Sequence, residues 1–297
     1  MSAPTVGRLR VPGATLRYEV RGRGPLLLLI PGGTGGAAAF DGVAEALAAE
    51  YTVASYDPRG LSRSPLDAPE AGQSVAEHAE DALRLLDLLS PGEPARVFAS
   101  SSGAIAALHL LAARPERFVR LVAHEPPLVE VLPDAPAHRA FLARVRDTLD
   151  AEGLMPAIGV FAAGLKGGPD GDAPVPELPA PAAPPPHAAA RAARTMADLP
   201  YFLGRIVPSF MAHSPDLRRL EAVSDRLVLA GGRDSRGELP YRPAAYLAER
   251  FGGELLHFPG GHTGLTTHPA EFGGVLRQAF RDQAFGDRAF RDQAFGY

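Results

Sequence analysis

Arg96-Val-Phe-Ala99, then Ser100-Ser101-Ser102-Gly103, then the alanine-rich run to Ala113 read as a strand, a tight turn and a helix in direct succession. Such a handover belongs to a mostly parallel sheet whose crossovers are helices. The flanking sequence repeats the alternation. Pro25–Ile30 is a continuous apolar run ending in glycines, which suits a central parallel strand. Tyr51–Tyr56, Val119–Ala123, Arg226–Ala230 and Glu254–Phe258 read as further strands, and Leu16–Val20 alternates as a half-buried antiparallel strand does. Helices are expected over 40–50, 74–89, 102–113, 243–251 and from Pro269. Ser74 with Glu77 three residues on has the form of a capping box.

Alternation stops at 127 and resumes at 225. Residues 127–224 carry helical stretches (Phe141 to Leu149, 154–165, 187–199 and 201–212) and no clear strand. Within them, Pro169 to Pro186 holds eight prolines, so 168–187 is expected to be a mobile loop. The expected organisation is an α/β core from 1–126 and 225–280, a helical insertion at 127–224, and a tail at 281–297. The tail repeats Phe-Arg-Asp-Gln-Ala-Phe-Gly with a period of ten. Phenylalanine every five residues advances a helix by about 140°, so the rings form no stripe. A frayed tail is expected, with docking onto a partner or a second copy in a homo-oligomer as the alternative.

Composition narrows the function. The 297 residues contain no cysteine, which excludes disulfides, thiolate metal sites and cysteine nucleophiles. A net charge of −4 offers no electrostatic case for nucleic acid or an anionic membrane. Leu26–Ile30 is too short to span a bilayer, and Met1–Arg10 lacks the apolar stretch of a signal peptide. A cytoplasmic location is the default expectation.

Four loops at predicted strand ends carry the candidate chemistry. Ser101 has small residues two before and two after it, as a nucleophile on a strand-to-helix turn requires. Serine is also a favoured helix N-cap, so the turn alone leaves both readings open. Pro31-Gly-Gly-Thr-Gly-Gly36 can bring backbone N–H groups close to a substrate oxygen. The same glycines fit a dinucleotide fingerprint, Gly33-x-Gly35-x-x-Ala38, with Asp57 as ribose ligand and Arg59 nearby. That rival reading would make an NAD(P)-binding oxidoreductase. Asp234 follows a late strand, and His262 lies on a glycine-rich loop after the last one.

In this order — glycine loop, serine on a turn, helical insertion, Asp after a strand, His after the last — the sequence resembles the α/β-hydrolase superfamily over roughly residues 8–280. Pro31-Gly32-Gly33-Thr34-Gly35 resembles the family's His-Gly-Gly-x-Gly motif except at the histidine. Asp57-Pro58-Arg59-Gly60-Leu61-Ser62-Arg63-Ser64 resembles its Asp-x-Arg-Gly-x-Gly-x-Ser turn, with Ser62 replacing the second glycine. The resemblance implies an α/β fold with a helical cap. It also implies a triad of Ser101 as nucleophile, His262 as base and Asp234 as acid, with Glu125 the alternative acid. The N–H groups of Gly33 and Ser102 would form the oxyanion hole. Thr34, Phe161, Phe202 and Ile206 are expected to touch substrate, and Leu165, Met196, Phe210 and Met211 also lie on predicted inner helix faces. The implied partner is a small, largely apolar ester, lactone or thioester, with no cofactor and no metal. Cofactor-free C–C bond hydrolysis or perhydrolysis on the same triad, and a non-catalytic binding protein, are the alternatives.

Overall fold

Leu26–Ile30, buried at every position, is β3 of an eight-stranded sheet ordered β1-β2-β4-β3-β5-β6-β7-β8. The computed structural model describes residues 3–167 and 186–281. The strands are β1 Thr5–Val11, β2 Ala14–Arg21, β3, β4 Thr52–Tyr56, β5 Ala95–Ser100, β6 Phe118–His124, β7 Leu227–Gly232 and β8 Leu256–Phe258. β1 and β2 pair antiparallel, β2 pairs antiparallel with β4, and every other pairing is parallel. β1 has no counterpart among the strands expected from sequence. It is a mostly exposed edge strand, turned into β2 through Pro12 and Gly13, the latter at φ +79°.

The period-two alternation of the strands builds a core on each face. Leu27, Leu29 and Phe98 point to the layer formed by α1 (Asp41–Leu47) and α11 (Pro269–Arg281), meeting Val43, Leu47, Phe272 and Leu276. Leu28, Ile30, Val97 and Ala99 point to the opposite layer, where α2 (Val75–Leu89) and α3 (Ser101–Ala113) supply Leu83, Leu86, Ile105 and Leu108. α9 (Tyr241–Arg250) adds Leu247 to that layer. The capping box opens α2: the Glu77 N–H donates to Ser74 Oγ at 3.2 Å, and the Ser74 N–H to Glu77 Oε2 at 2.9 Å.

β4 lies on one side of β3 and β5 on the other. The chain therefore leaves β3 and β5 toward opposite layers, and a crevice opens between their carboxyl ends, where α/β sheets place ligands. Between β6 and β7 run α4 (Ala135–Glu152), α5 (Leu154–Gly167), α6 (Pro186–Tyr201), α7 (Val207–Met211) and α8 (Leu217–Glu221), and a short α10 (Gly264–Thr267) precedes α11. The helices expected over 187–199 and 201–212 form one path, joined by a π-helical turn over Phe202–Ile206. This insertion is tied to the core by polar bonds. The Ser62 N–H donates to Asp198 Oδ2 at 2.7 Å, Tyr201 O–H to the Ala71 carbonyl at 2.6 Å, and the Leu239 N–H to the Leu165 carbonyl at 2.8 Å. The proline-rich stretch at 168–185 and the repeats at 282–297 lie outside the described residues.

Two buried histidines make stability depend on pH. Burial, with Arg59 nearby, pushes His78 down to about 3. Burial pushes His124 down to about 4, partly opposed by Glu125, and its Nε2 has no hydrogen-bond partner among the described residues. Both stay neutral in the folded chain under conditions where the unfolded chain binds protons. Stability is expected to fall as pH drops from about 6.5 toward 4, by roughly 1.4 kcal/mol per pH unit for each histidine once the unfolded form is fully protonated. Urea melts between pH 7 and 5 measure this, and an unchanged unfolding free energy across that interval would contradict it.

Candidate active site

β5 passes into α3 with no intervening loop, and the first helical residue, Ser101, sits at φ +52°. An L-residue seldom adopts this conformation, and a strained turn is the means of lifting a side chain clear of a sheet. The glycines around it are required by close approach. A Cβ on Gly103 would stand 2.3 Å from the Pro31 carbonyl oxygen, and one on Gly32 would stand 2.5 Å from both Ser100 O and Ser101 Cβ. The β3 loop thus lies directly against the turn. Ala99 is fully buried, so its methyl is accommodated where the motif has a glycine.

Ser101 Oγ lies 3.1 Å from His262 Nε2, and His262 Nδ1 lies 2.7 Å from Glu125 Oε2. A carboxylate only accepts hydrogen bonds, so Nδ1 carries the proton and the lone pair of Nε2 faces the Ser101 hydroxyl. The expected acid, Asp234, is not the partner of His262. It is exposed and its side chain makes no hydrogen bond or ion pair among the described residues; only its N–H is engaged, to the Gly260 carbonyl at 3.0 Å. The carboxylate in place is Glu125, just past β6 and at φ +48°.

The reason lies at the end of β7, where the Gly232 N–H donates to Glu125 Oε1 at 2.7 Å, and in the turn that follows, where the Ser235 hydroxyl donates to the same oxygen. That turn therefore presents hydrogen-bond donors to the interior and leaves Asp234 in water. Burial pushes the Glu125 carboxyl up, but the His262 hydrogen bond, the neighbouring imidazoles and Ser235 outweigh it, and the net shift is downward. Glu125 is fully buried and remains ionised. Neither Gly232 nor Ser235 carries a sequence signal for this role beyond its place at the end of a buried strand or in the turn after it.

Gly33 sits at φ +55°, and its N–H donates to Ser102 Oγ at 3.0 Å. The Ser102 N–H lies in the first turn of α3, where no intrahelical acceptor exists. Asp57 is fully buried and accepts from the Ala37 N–H at 2.8 Å and from Arg63 Nε at 2.7 Å. Arg59 pairs with Asp81 at 2.6 Å. Asp57, which the dinucleotide reading would give to a ribose, and Arg59, which it would give to a 2′-phosphate, are both committed to ion pairs within the fold.

Above Ser101 opens a cavity of about 300 Å³. Ser101, His262, Gly33 and Ser102 lie on its floor side, and Phe161, Leu165, Phe202, Val207, Phe210 and Met211 come from the helical insertion. Phe161 stacks on Phe141 at 6.3 Å and meets Phe202 edge-on at 6.4 Å, which fixes the aromatic wall. Phe161 and Phe202 line the cavity as expected. Thr34 does not, although Gly32, Gly33 and Gly35 beside it do. Ile206 lines a separate small crevice against Tyr56 and Ala106, and Met196 is turned to solvent. Among the described residues no three His, Asp or Glu side chains converge as metal ligands, and no helix is long and apolar enough to cross a membrane.

Comparison with known proteins agrees with this architecture. The sequence profile described as the alpha/beta hydrolase fold matches residues 25–202. An uncharacterised hydrolase, YraK of Bacillus subtilis, is 35% identical over 283 residues, covering 90% of this chain and 92% of that protein. Zearalenone hydrolase of Bionectria ochroleuca is 34% identical over 121 residues, 39% of this chain and 44% of its own length. Among solved structures, a thermophilic esterase from Thermogutta terrifontis superposes with a TM-score of 0.70 at 16% identity, over 93% of this chain and 99% of that one. At that identity the likeness is one of fold.

Proposed function

Because the chain belongs to the family of the α/β-hydrolase fold, we propose that it is a serine hydrolase cleaving a carboxylic ester or lactone of a small, largely apolar molecule. The observation that carries this reading is the unbroken relay from Ser101 through His262 to Glu125, opening into an apolar cavity. Residues 1–126 and 225–280 form the catalytic core in this reading, and 127–224 the cap that shapes the cavity.

In the first half-reaction, His262 Nε2 takes the Ser101 proton as Oγ bonds to the carbonyl carbon and the π pair moves onto oxygen. Glu125 keeps its charge and stabilises the imidazolium without taking the proton. Collapse of the intermediate expels the alcohol oxygen, which collects the proton from Nε2. Water then repeats the sequence on the acyl-enzyme and releases the acid. The apolar walls favour a substrate whose acyl or alcohol portion is aliphatic or aromatic.

A fluorophosphonate probe tests the reading. One covalent adduct is expected, on Ser101, together with hydrolysis of short-chain p-nitrophenyl esters. Folded protein that leaves Ser101 unlabelled and hydrolyses none of the esters would refute the proposal, and tight NADPH binding would transfer the assignment to the Gly33 loop.

A further inference from the structure

Ser102 follows the nucleophile in the chain, and its side chain reaches back to the β3 loop. Its Oγ accepts the Gly33 N–H at 3.0 Å, and both residues line the cavity with Ser101. The N–H aimed at an oxyanion is therefore already engaged in the free protein. The Ser102 hydroxyl proton, by contrast, has no acceptor among the described residues. Among the described residues this hydroxyl accepts one hydrogen bond and donates none, on the lining of the cavity where negative charge would develop.

We propose that the Ser102 hydroxyl is a catalytic group, a third donor to the oxyanion beside the N–H groups of Gly33 and Ser102. The inference rests on the Ser101 mechanism proposed above. A hydrogen bond to a charged acceptor is roughly twice as strong as one between neutral groups, so an oxyanion displaces the hydroxyl oxygen from the Gly33 N–H. An oxygen then held by Gly33 lies beside Ser102 Oγ. Left undirected, the hydroxyl would turn lone pairs toward the new anion; rotation about its single bonds turns the proton there instead. In the attack step the Ser101 Oγ–carbon bond forms, the carbonyl π pair moves to oxygen, and the Ser101 proton goes to His262 Nε2. Ser102 keeps its proton and only redirects its hydrogen bond.

The test is steady-state kinetics on p-nitrophenyl butyrate for Ser102→Ala, Ser102→Thr and the near-isosteric Ser102→Val. Loss of one oxyanion donor costs about 10²- to 10³-fold in kcat where it has been measured, and a rotatable side chain is expected at the lower end, roughly 30- to 100-fold. Ala and Val should both show that loss with KM within about threefold, and Thr should recover most of kcat. A trifluoromethyl ketone, whose serine adduct carries the oxyanion, should bind more weakly to Ala and Val by a similar factor. A purely structural tether would not move that ratio. The Thr–Val pair keeps the comparison between equal volumes should Ala destabilise the turn. Unchanged or faster turnover in folded Ser102→Ala or Ser102→Val would overturn the proposal and make the hydroxyl a plug or a tether. Failure of the fluorophosphonate to label wild-type Ser101 would instead refute the hydrolase reading itself, independently of any Ser102 variant.

Discussion

Ser101→Ala is expected to lower ester turnover by roughly 10⁵- to 10⁶-fold, because nucleophile and base act as one unit. Adding His262→Ala to it should cost almost nothing more: with no hydroxyl to deprotonate, the imidazole 3.1 Å away has no task. That non-additivity separates catalysis by the relay from catalysis by a general base acting on water, in which the serine would be dispensable. The single variants and the double variant, assayed with the same ester, decide it. A loss below tenfold for Ser101→Ala would remove the nucleophile assignment.

Glu125→Gln is expected to cost about 10³- to 10⁴-fold in kcat, the scale seen when a triad acid becomes an amide. The geometry gives the reason. The Gly232 N–H and the Ser235 hydroxyl both donate to Oε1, so the amide that replaces the carboxylate would keep its carbonyl oxygen there and turn its NH₂ toward His262 Nδ1. Nδ1 would then have to accept, the proton would move to Nε2, and Nε2 could no longer take the proton from Ser101. Asp234→Asn should stay within about threefold, since an exposed side chain with no partner among the described residues holds nothing in place. The reverse ranking, with Asp234→Asn crippling and Glu125→Gln mild, would restore Asp234 as the acid. Ser235→Ala offers a graded check: it removes one of the two donors on Oε1 while leaving the carboxylate in place, so its effect should fall between the two.

Much of this architecture was legible along the chain because its determinants are local. Leu26–Ile30 is apolar at five successive positions, as a strand buried on both faces requires. Ser74 and Glu77 cap α2 with groups three residues apart. Ser101 and His262 stand out because small residues flank both, and small residues are what a tight turn and a free loop need. β1 carries the alternation Arg8-Leu9-Arg10-Val11 and its turn is marked by Pro12-Gly13, but only Val11 is buried, so the apolar signal of this edge strand is short. The insertion helices were legible by spacing, but their rotation was not. Phe161 and Phe202 face the cavity while Met196 and Ile206 do not, because packing against the core, through Phe141 and the Ser62–Asp198 and Tyr201–Ala71 bonds, sets which side of each helix looks down.

The choice of acid is where sequence and tertiary structure part. Glu125 and Asp234 each follow a buried parallel strand by one or two residues, so local pattern places both at the same edge of the sheet. Which one reaches His262 depends on the lateral register of β6 and β7, where His124 stands opposite Ala230, and on the positive φ of Glu125, which turns its side chain inward. It depends equally on the turn that puts Gly232 and Ser235 inside and Asp234 outside. None of these is a property of a short stretch of chain. A buried carboxylate needs donors on every lone pair it cannot give to water, and those donors come from a segment more than a hundred residues away. Sequence alone therefore determined the sheet, the elbow and the histidine loop, whose causes are periodicity and small side chains. The partner of the imidazole was decided only when the folded loops had distributed their hydrogen bonds.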